Sequence, residues 1–266
     1  KNRETLRLAL QDPDVLAQEV AEGALTPQEA ILAKGRSDFP IQLIKSVIAN
    51  LQTHYETETR NFLYGHYSIV GGKPSFSANN TDKPITEFPY YGQQQHLSPI
   101  TIKEVPCSPD PANIPWGRYI MGIDTLDDDG GEGSMFSWQI MDLWTDDIVA
   151  WYMGRKNIIS DNHAEALAAA LAYNASIMYE ANFKGFFQYC FNANAINMLA
   201  DTPEILIDKG WNKAGYGNKA KGIRANARVN KWGRTLQADW MRKPHMHYKD
   251  KIGVETIKDI EYLREM

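Results

Sequence analysis

Apolar and small residues run unbroken from Tyr119 to a single carboxylate, Tyr119-Ile120-Met121-Gly122-Ile123-Asp124, and the figure returns at Ala175-Ser176-Ile177-Met178-Tyr179-Glu180. Short apolar runs of this kind, bounded by polar residues, read as strands buried in a sheet. Ser134–Asp142 and Ile148–Met153 read as two further strands joined at Thr145-Asp146-Asp147, a link short enough for an antiparallel meander. The alanine-rich stretch Asp161–Tyr173 predicts a helix with Asp161 as its N-cap. A strand, a helix and a strand in that succession suit a parallel return.

The flanks carry weaker patterns. Helices are expected at Arg3–Glu22, Thr26–Lys34 and Pro40–Glu58, where Leu43, Ile44, Val47, Ile48 and Leu51 form one apolar stripe. Residues 61–116 are rich in turn formers, such as Gly71-Gly72-Lys73-Pro74, and predict loops with edge strands at Phe62–Ile69 and Ile100–Val105. Further on, the pattern predicts a helix Gly185–Asn192, a short strand Ala195–Leu199, a glycine-rich loop Gly210–Gly222, a helix Ile223–Met241 and a last helix Val254–Glu265. The implied organisation is a helical linker or remnant of a preceding domain over 1–58 and a catalytic domain over 59–266.

Charge sharpens this picture more than composition does. The net charge of −5 does not announce a nucleic-acid binder, yet Lys209–Lys251 holds twelve lysines and arginines against Asp239 and Asp250 alone. Such segregation suggests one face that attracts polyanions. Lys213, Lys219 and Lys221 alternate with glycines that let backbone approach phosphates, and Arg224, Arg228, Lys231 and Arg234 follow at helical spacing. These seven are the candidate DNA contacts, sequence-independent and salt-sensitive. Cys107 and Cys190 lack metal-ligand spacing and read as reduced thiols of a cytoplasmic protein. No run is long and apolar enough to span a bilayer. No Gly-x-x-x-x-Gly-Lys-Ser/Thr occurs, so no phosphate-cradling loop of that kind is present.

A carboxylate that ends a strand sits at the carboxyl end of the sheet, where open α/β folds place their chemistry. Three antiparallel strands, a helix and a parallel strand beside the first are the order of the ribonuclease H-like fold: a mixed α/β sheet flanked by helices, here with an N-terminal helical appendage. That order brings Asp124 and Glu180 to adjacent strand ends. Two carboxylates there suit hard divalent cations and two-metal phosphodiester cleavage. His163-Ala164-Glu165 lacks the cysteines of a zinc deaminase. His245-Met246-His247 reads as a turn with exposed histidines rather than a metal site.

Tyr119-Ile120-Met121-Gly122-Ile123-Asp124, Asp146-Asp147-Ile148-Val149-Ala150-Trp151-Tyr152-Met153-Gly154-Arg155, Tyr179-Glu180-Ala181-Asn182-Phe183-Lys184-Gly185, Leu199-Ala200-Asp201-Thr202-Pro203 and Tyr216-Gly217-Asn218-Lys219-Ala220-Lys221-Gly222-Ile223 resemble the carboxyl-terminal nuclease domain of large terminase subunits of tailed double-stranded DNA bacteriophages. The resemblance covers about residues 85–266. It implies an endonuclease that cuts concatemeric double-stranded DNA during packaging, with two Mg²⁺ or Mn²⁺ ions on Asp124 and Glu180. It further implies portal protein and small terminase subunit as partners, and the host cell cytoplasm as location. The family's third carboxylate lies on a late helix, at a position just past Met266. Two other readings compete: a DNA-binding and motor-docking module without catalysis, and another ribonuclease H-like enzyme such as a resolvase or transposase.

Overall fold

The strands of the sheet are β1 (Leu63–Val70), β2 (Lys73–Ala78), β3 (Ile100–Ile102), β4 (Tyr119–Asp124), β5 (Phe136–Asp142), β6 (Asp147–Gly154) and β7 (Ser176–Tyr179). The computed structural model describes residues 38–79, 81–82, 84–85, 98–127, 135–212, 220–264 and 266. Among these residues the seven strands pair in the order β2-β1-β3-β6-β5-β4-β7. The helices are α1 (Ile41–Thr59), α2 (Ile159–Tyr173), α3 (Gly185–Asn192), α4 (Glu204–Asp208), α5 (Ala227–Arg242), α6 (Gly253–Thr256) and α7 (Ile260–Arg264). Residues 58–230 cluster as one compact unit, and 38–57 with 231–266 as a second.

In the larger unit β4, β5 and β6 form an antiparallel meander, and α2 carries the chain back to β7, which runs parallel to β4. Beyond β7, Leu199 bridges Ile177 in parallel. Taking β4 as first, the core order is three-two-one-four-five, which is the ribonuclease H-like arrangement. Every residue of β6 is buried, as befits a central strand covered on both faces. β5 alternates strictly, burying Phe136, Trp138, Ile140 and Asp142.

Helix α2 is helical through its alanines and buries Ala166, Leu167, Ala168, Ala169 and Ala170 in the core shared with the sheet. Alanine there lets helix and sheet approach closely. Asn174 ends the helix in the left-handed region (φ 48°), and its side-chain amide donates to the Ile114 carbonyl at 2.9 Å. Phe136 is fully buried, so its truncation to Ala would cost about 3–5 kcal/mol.

The boundaries of β4 and α3 fall where the pattern puts them. Other expectations need correction. β2 is a strand that the turn-rich composition hid, joined to β1 through Gly71 and Gly72, both at positive φ (59° and 78°). Such a two-residue link requires that backbone and matches the strand twist. Pro74 is tolerated because β2 is an edge. β3 stops at Ile102, short of the expected Val105. α2 starts at Ile159, so Asp161 lies in its first turn rather than capping it. Residues 196–198 form a 3-10 turn instead of a strand, leaving only Leu199 paired.

The helix expected from Ile223 begins at Ala227. Asn226 is the reason: its Oδ1 accepts from the Arg228 and Val229 amides, both at 3.1 Å, as an N-cap does. Expected helix 254–265 is two short helices, broken at residues 257–259, with Asp259 Oδ1 accepting from the Tyr262 amide at 3.2 Å. The helices expected at 3–22 and 26–34 lie outside the described residues. Both cysteines are free thiols, Cys107 exposed and Cys190 buried. Among the described residues no helix is long and apolar enough to cross a membrane.

Candidate active site

The parallel register of β4 and β7 pairs Ile120 with Ser176, Met121 with Ile177, Gly122 with Met178 and Ile123 with Tyr179. Asp124 and Glu180 are therefore the next pair in register, on strands about 4.8 Å apart. Alternation puts them on the same side. Met121, Ile123, Ile177 and Tyr179 are buried, so Gly122, Asp124, Met178 and Glu180 take the opposite, more open face.

Electrostatics reports the same proximity. Loss of hydration raises the Asp124 carboxyl above the usual aspartate range. Glu180 is also raised, first by burial and then by the negative charge of Asp124, with partial relief from the Asn182 side chain. Asn182 Nδ2 donates to Glu180 Oε1 at 2.8 Å and to the Ala225 carbonyl at 3.1 Å, which fixes the glutamate's direction. Among the described residues neither acid has a lysine or arginine in ion-pair contact. Two like charges without a counter-ion, offering only oxygens, are a donor set that fits a hard divalent cation. No group of three or more His, Cys, Asp or Glu able to hold a metal occurs among the described residues.

Asp127 braces the site from below. Its two carboxylate oxygens accept from the Lys184 amide at 3.0 Å and the Gly185 amide at 2.8 Å, capping α3. The loop after Asp124 is thereby tied to the helix that follows Glu180. Nothing in the one-dimensional pattern flagged this aspartate, since its partners are 57 and 58 positions away.

The segment 220–225 lies along the ends of β7 and of the Leu199–Asp201 stretch. Ile223 N donates to the Tyr179 carbonyl at 2.9 Å, the Ala181 amide to the Ile223 carbonyl at 2.8 Å, and Gly222 N to the Ala200 carbonyl at 3.0 Å. Gly222 has no substitute here: its φ is +72°, and a Cβ would come within 2.7 Å of the Tyr179 carbonyl oxygen. This attachment sets where the basic residues go. Lys221 Nζ is committed to Asp201 and the Leu199 carbonyl, both at 2.8 Å. Arg224 is exposed in an extended stretch, so it does not share a helical face with Arg228, Lys231 and Arg234. Those three are exposed on α5, and Arg234 lies 3.5 Å from Asp38. Lys213 and Lys219 lie outside the described residues.

The histidine motifs are used structurally. His163 is buried among Phe136, Phe186 and Tyr189, and burial lowers its pKa. Glu165 is buried and paired with His66 and Lys156, each at 2.8 Å. His245 is buried rather than exposed, its Nδ1 accepting from the His247 and Tyr248 amides.

Fold and site together define a ribonuclease H-like sheet with two carboxylates at the ends of its first and fourth core strands, neither in contact with a lysine or arginine among the described residues. A crystal structure described as the large terminase nuclease from thermophilic phage G20c matches 56% of this chain at 15% identity and a TM-score of 0.35. The match spans 62% of that chain's length. No family model and no curated protein matches the chain.

Proposed function

We propose that this chain is a metal-dependent DNA endonuclease whose catalytic residues are Asp124 and Glu180. The observation that carries the reading is the register of β4 and β7, in which the two acids follow as the next pair on one face, with no lysine or arginine in ion-pair contact among the described residues. Bound Mg²⁺ or Mn²⁺ would supply positive charge at the scissile phosphate and acidify an attacking water. The chain's own part is to hold the two carboxylates at fixed spacing. Asn182 restrains Glu180, and Asp127 ties the β4 loop to α3. A pair of carboxylates suffices to seat such an ion, because Mg²⁺ keeps several waters and takes remaining ligands from substrate phosphate.

Arg224 and Arg228, in the same unit as the acids, are proposed to hold the DNA backbone. Contacts of this kind carry no sequence preference and weaken steeply with salt. The packaging context rests on the sequence motifs alone. In that context the substrate is concatemeric viral DNA, the partners are portal and small terminase subunit, and the site of action is the host cytoplasm.

Supercoiled plasmid and Mn²⁺ test the reading. Parent protein is expected to nick and linearise the plasmid. Asp124→Ala and Glu180→Ala are each expected to abolish cutting while retaining DNA in a filter-binding assay. Undiminished cutting by both variants overturns the assignment. One observation favours a second reading, a DNA-binding and docking module: only two carboxylates converge among the described residues. Nicking in Mn²⁺ separates the two, since a module without catalysis would bind the plasmid and leave it uncut.

A further inference from the structure

A pocket of about 510 Å³ opens beside the carboxyl end of β7, within the larger unit. That volume lies in the range of small-ligand sites. Its lining includes Tyr179 and Ala181, the residues on either side of Glu180 in the chain, together with Phe183, Phe187, Lys184 and Arg224. Among the described residues no carboxylate lines it.

The polar groups around it divide into spent and unspent. Thr202 Oγ1 donates to the Gly222 carbonyl at 2.6 Å, Asn212 is bonded to the Arg224 main chain, and Lys221 is held by Asp201. These build the wall. Lys184 and Arg224 have no side-chain anion partner among the described residues, and both are exposed. Phe183 leaves 40% of its surface in solvent. The amino end of α3 is not the attraction, since Asp127 already occupies the Lys184 and Gly185 amides.

Among the described residues, two cations without an acidic partner beside two phenylalanine rings form a receptor for an anion joined to a flat apolar group. We propose that this pocket takes one unpaired nucleotide of the DNA strand that passes Glu180. The base lies against Phe183 and Phe187, and its phosphate is held by Lys184 and Arg224. Base stacking on an aromatic ring is indifferent to sequence and adds substantially to single-strand affinity. The inference rests on the nuclease reading and extends it: the enzyme would engage locally opened DNA next to the cut.

Binding can be read without cleavage by adding EDTA and following fluorescence anisotropy of labelled, 5′-phosphorylated tetrathymidylate. Phe183→Ala is expected to weaken binding about tenfold. Arg224→Gln is expected to weaken it too and to flatten its salt dependence. Circular dichroism should show both variants folded, Phe183 being exposed. Thymidine monophosphate should bind more weakly than the tetranucleotide, and inorganic phosphate should not compete. Binding by folded Phe183→Ala within twofold of the parent overturns the proposal. Equal affinity for the mononucleotide overturns it as well, marking the pocket as a free-nucleotide site. If Asp124→Ala and Glu180→Ala both cut undiminished while Phe183→Ala loses binding, the catalytic assignment has failed and the pocket stands. The reverse pattern discards the pocket alone.

Discussion

At the rim where β4 begins, Asp142 and Asp147 are each 1% exposed, and each is closed by a cation: Arg118 at 2.7 Å from Asp142, and Lys103 on Asp147. At the rim where β4 ends, Asp124 and Glu180 stand together with no cation in contact among the described residues, both raised in pKa. The same strand thus joins two kinds of acid. Buried carboxylates at the first rim are tolerable only because they are paired, and their work is to hold the meander in register. Those at the second rim cost stability as they stand. A pair of this kind is a candidate for completion by a bound cation, which is the proposed function of the site.

The contrast is broken most forcefully at Arg118. Arg118→Met strands a buried charge on Asp142, and urea denaturation should show a loss of about 3–5 kcal/mol. Cleavage per folded molecule should not change. If stability falls by a tenth of that, the first rim is not the structural one.

Next in size is the opposite rim. Asp124→Ala or Glu180→Ala should reduce Mn²⁺-dependent nicking by two orders of magnitude or more, because even groups one step removed from a metal cost about 10–100-fold. Thermal stability without metal should hold or rise. A drop in Tm comparable to that of Arg118→Met would erase the distinction between the rims.

Asn182→Ala frees Glu180 without removing it, so nicking should slow by about tenfold, with the concentration of Mn²⁺ needed for half-maximal rate moving upward. Unaltered metal dependence would mean that the amide restrains nothing of consequence.

The smallest effect is a matter of pH. A carboxyl raised in the folded state binds its proton more tightly there than in the unfolded chain. Stability therefore falls as pH rises from the unfolded value, about 4.3 for glutamate, through the raised folded value, and the cost persists above it. Glu180→Gln should accordingly raise Tm at pH 7 in the absence of metal, with the advantage gone by about pH 4. An advantage that instead grows toward acid would contradict the repulsion between Asp124 and Glu180.

How much of this could be read from the chain depended on whether the signal was local. β4 and α3 were legible to the residue, since an unbroken apolar run and a helical octet carry their own boundaries. The adjacency of Asp124 and Glu180 followed from the strand, helix, strand order, and the register agrees. β2 was hidden because serine, proline and lysine predict turn, and only pairing with β1 makes a strand of them. The start of α5 was misjudged although its cap, Asn226, stood in plain sight. The pocket had no periodicity at all: Phe183, Thr202, Asn212 and Arg224 meet because residues 220–225 fold back onto β7, which no local pattern encodes.

That fold-back has a mechanical consequence. The proposed catalytic acid and the proposed phosphate-holding arginine are fastened to one main-chain seam, since the amide of Ala181, next to Glu180, donates to the carbonyl of Ile223, next to Arg224, at 2.8 Å. Unzipping the seam would displace both in a single motion. In deuterium exchange, the amides of Ala181, Gly222 and Ile223 should accordingly open as one cooperative patch.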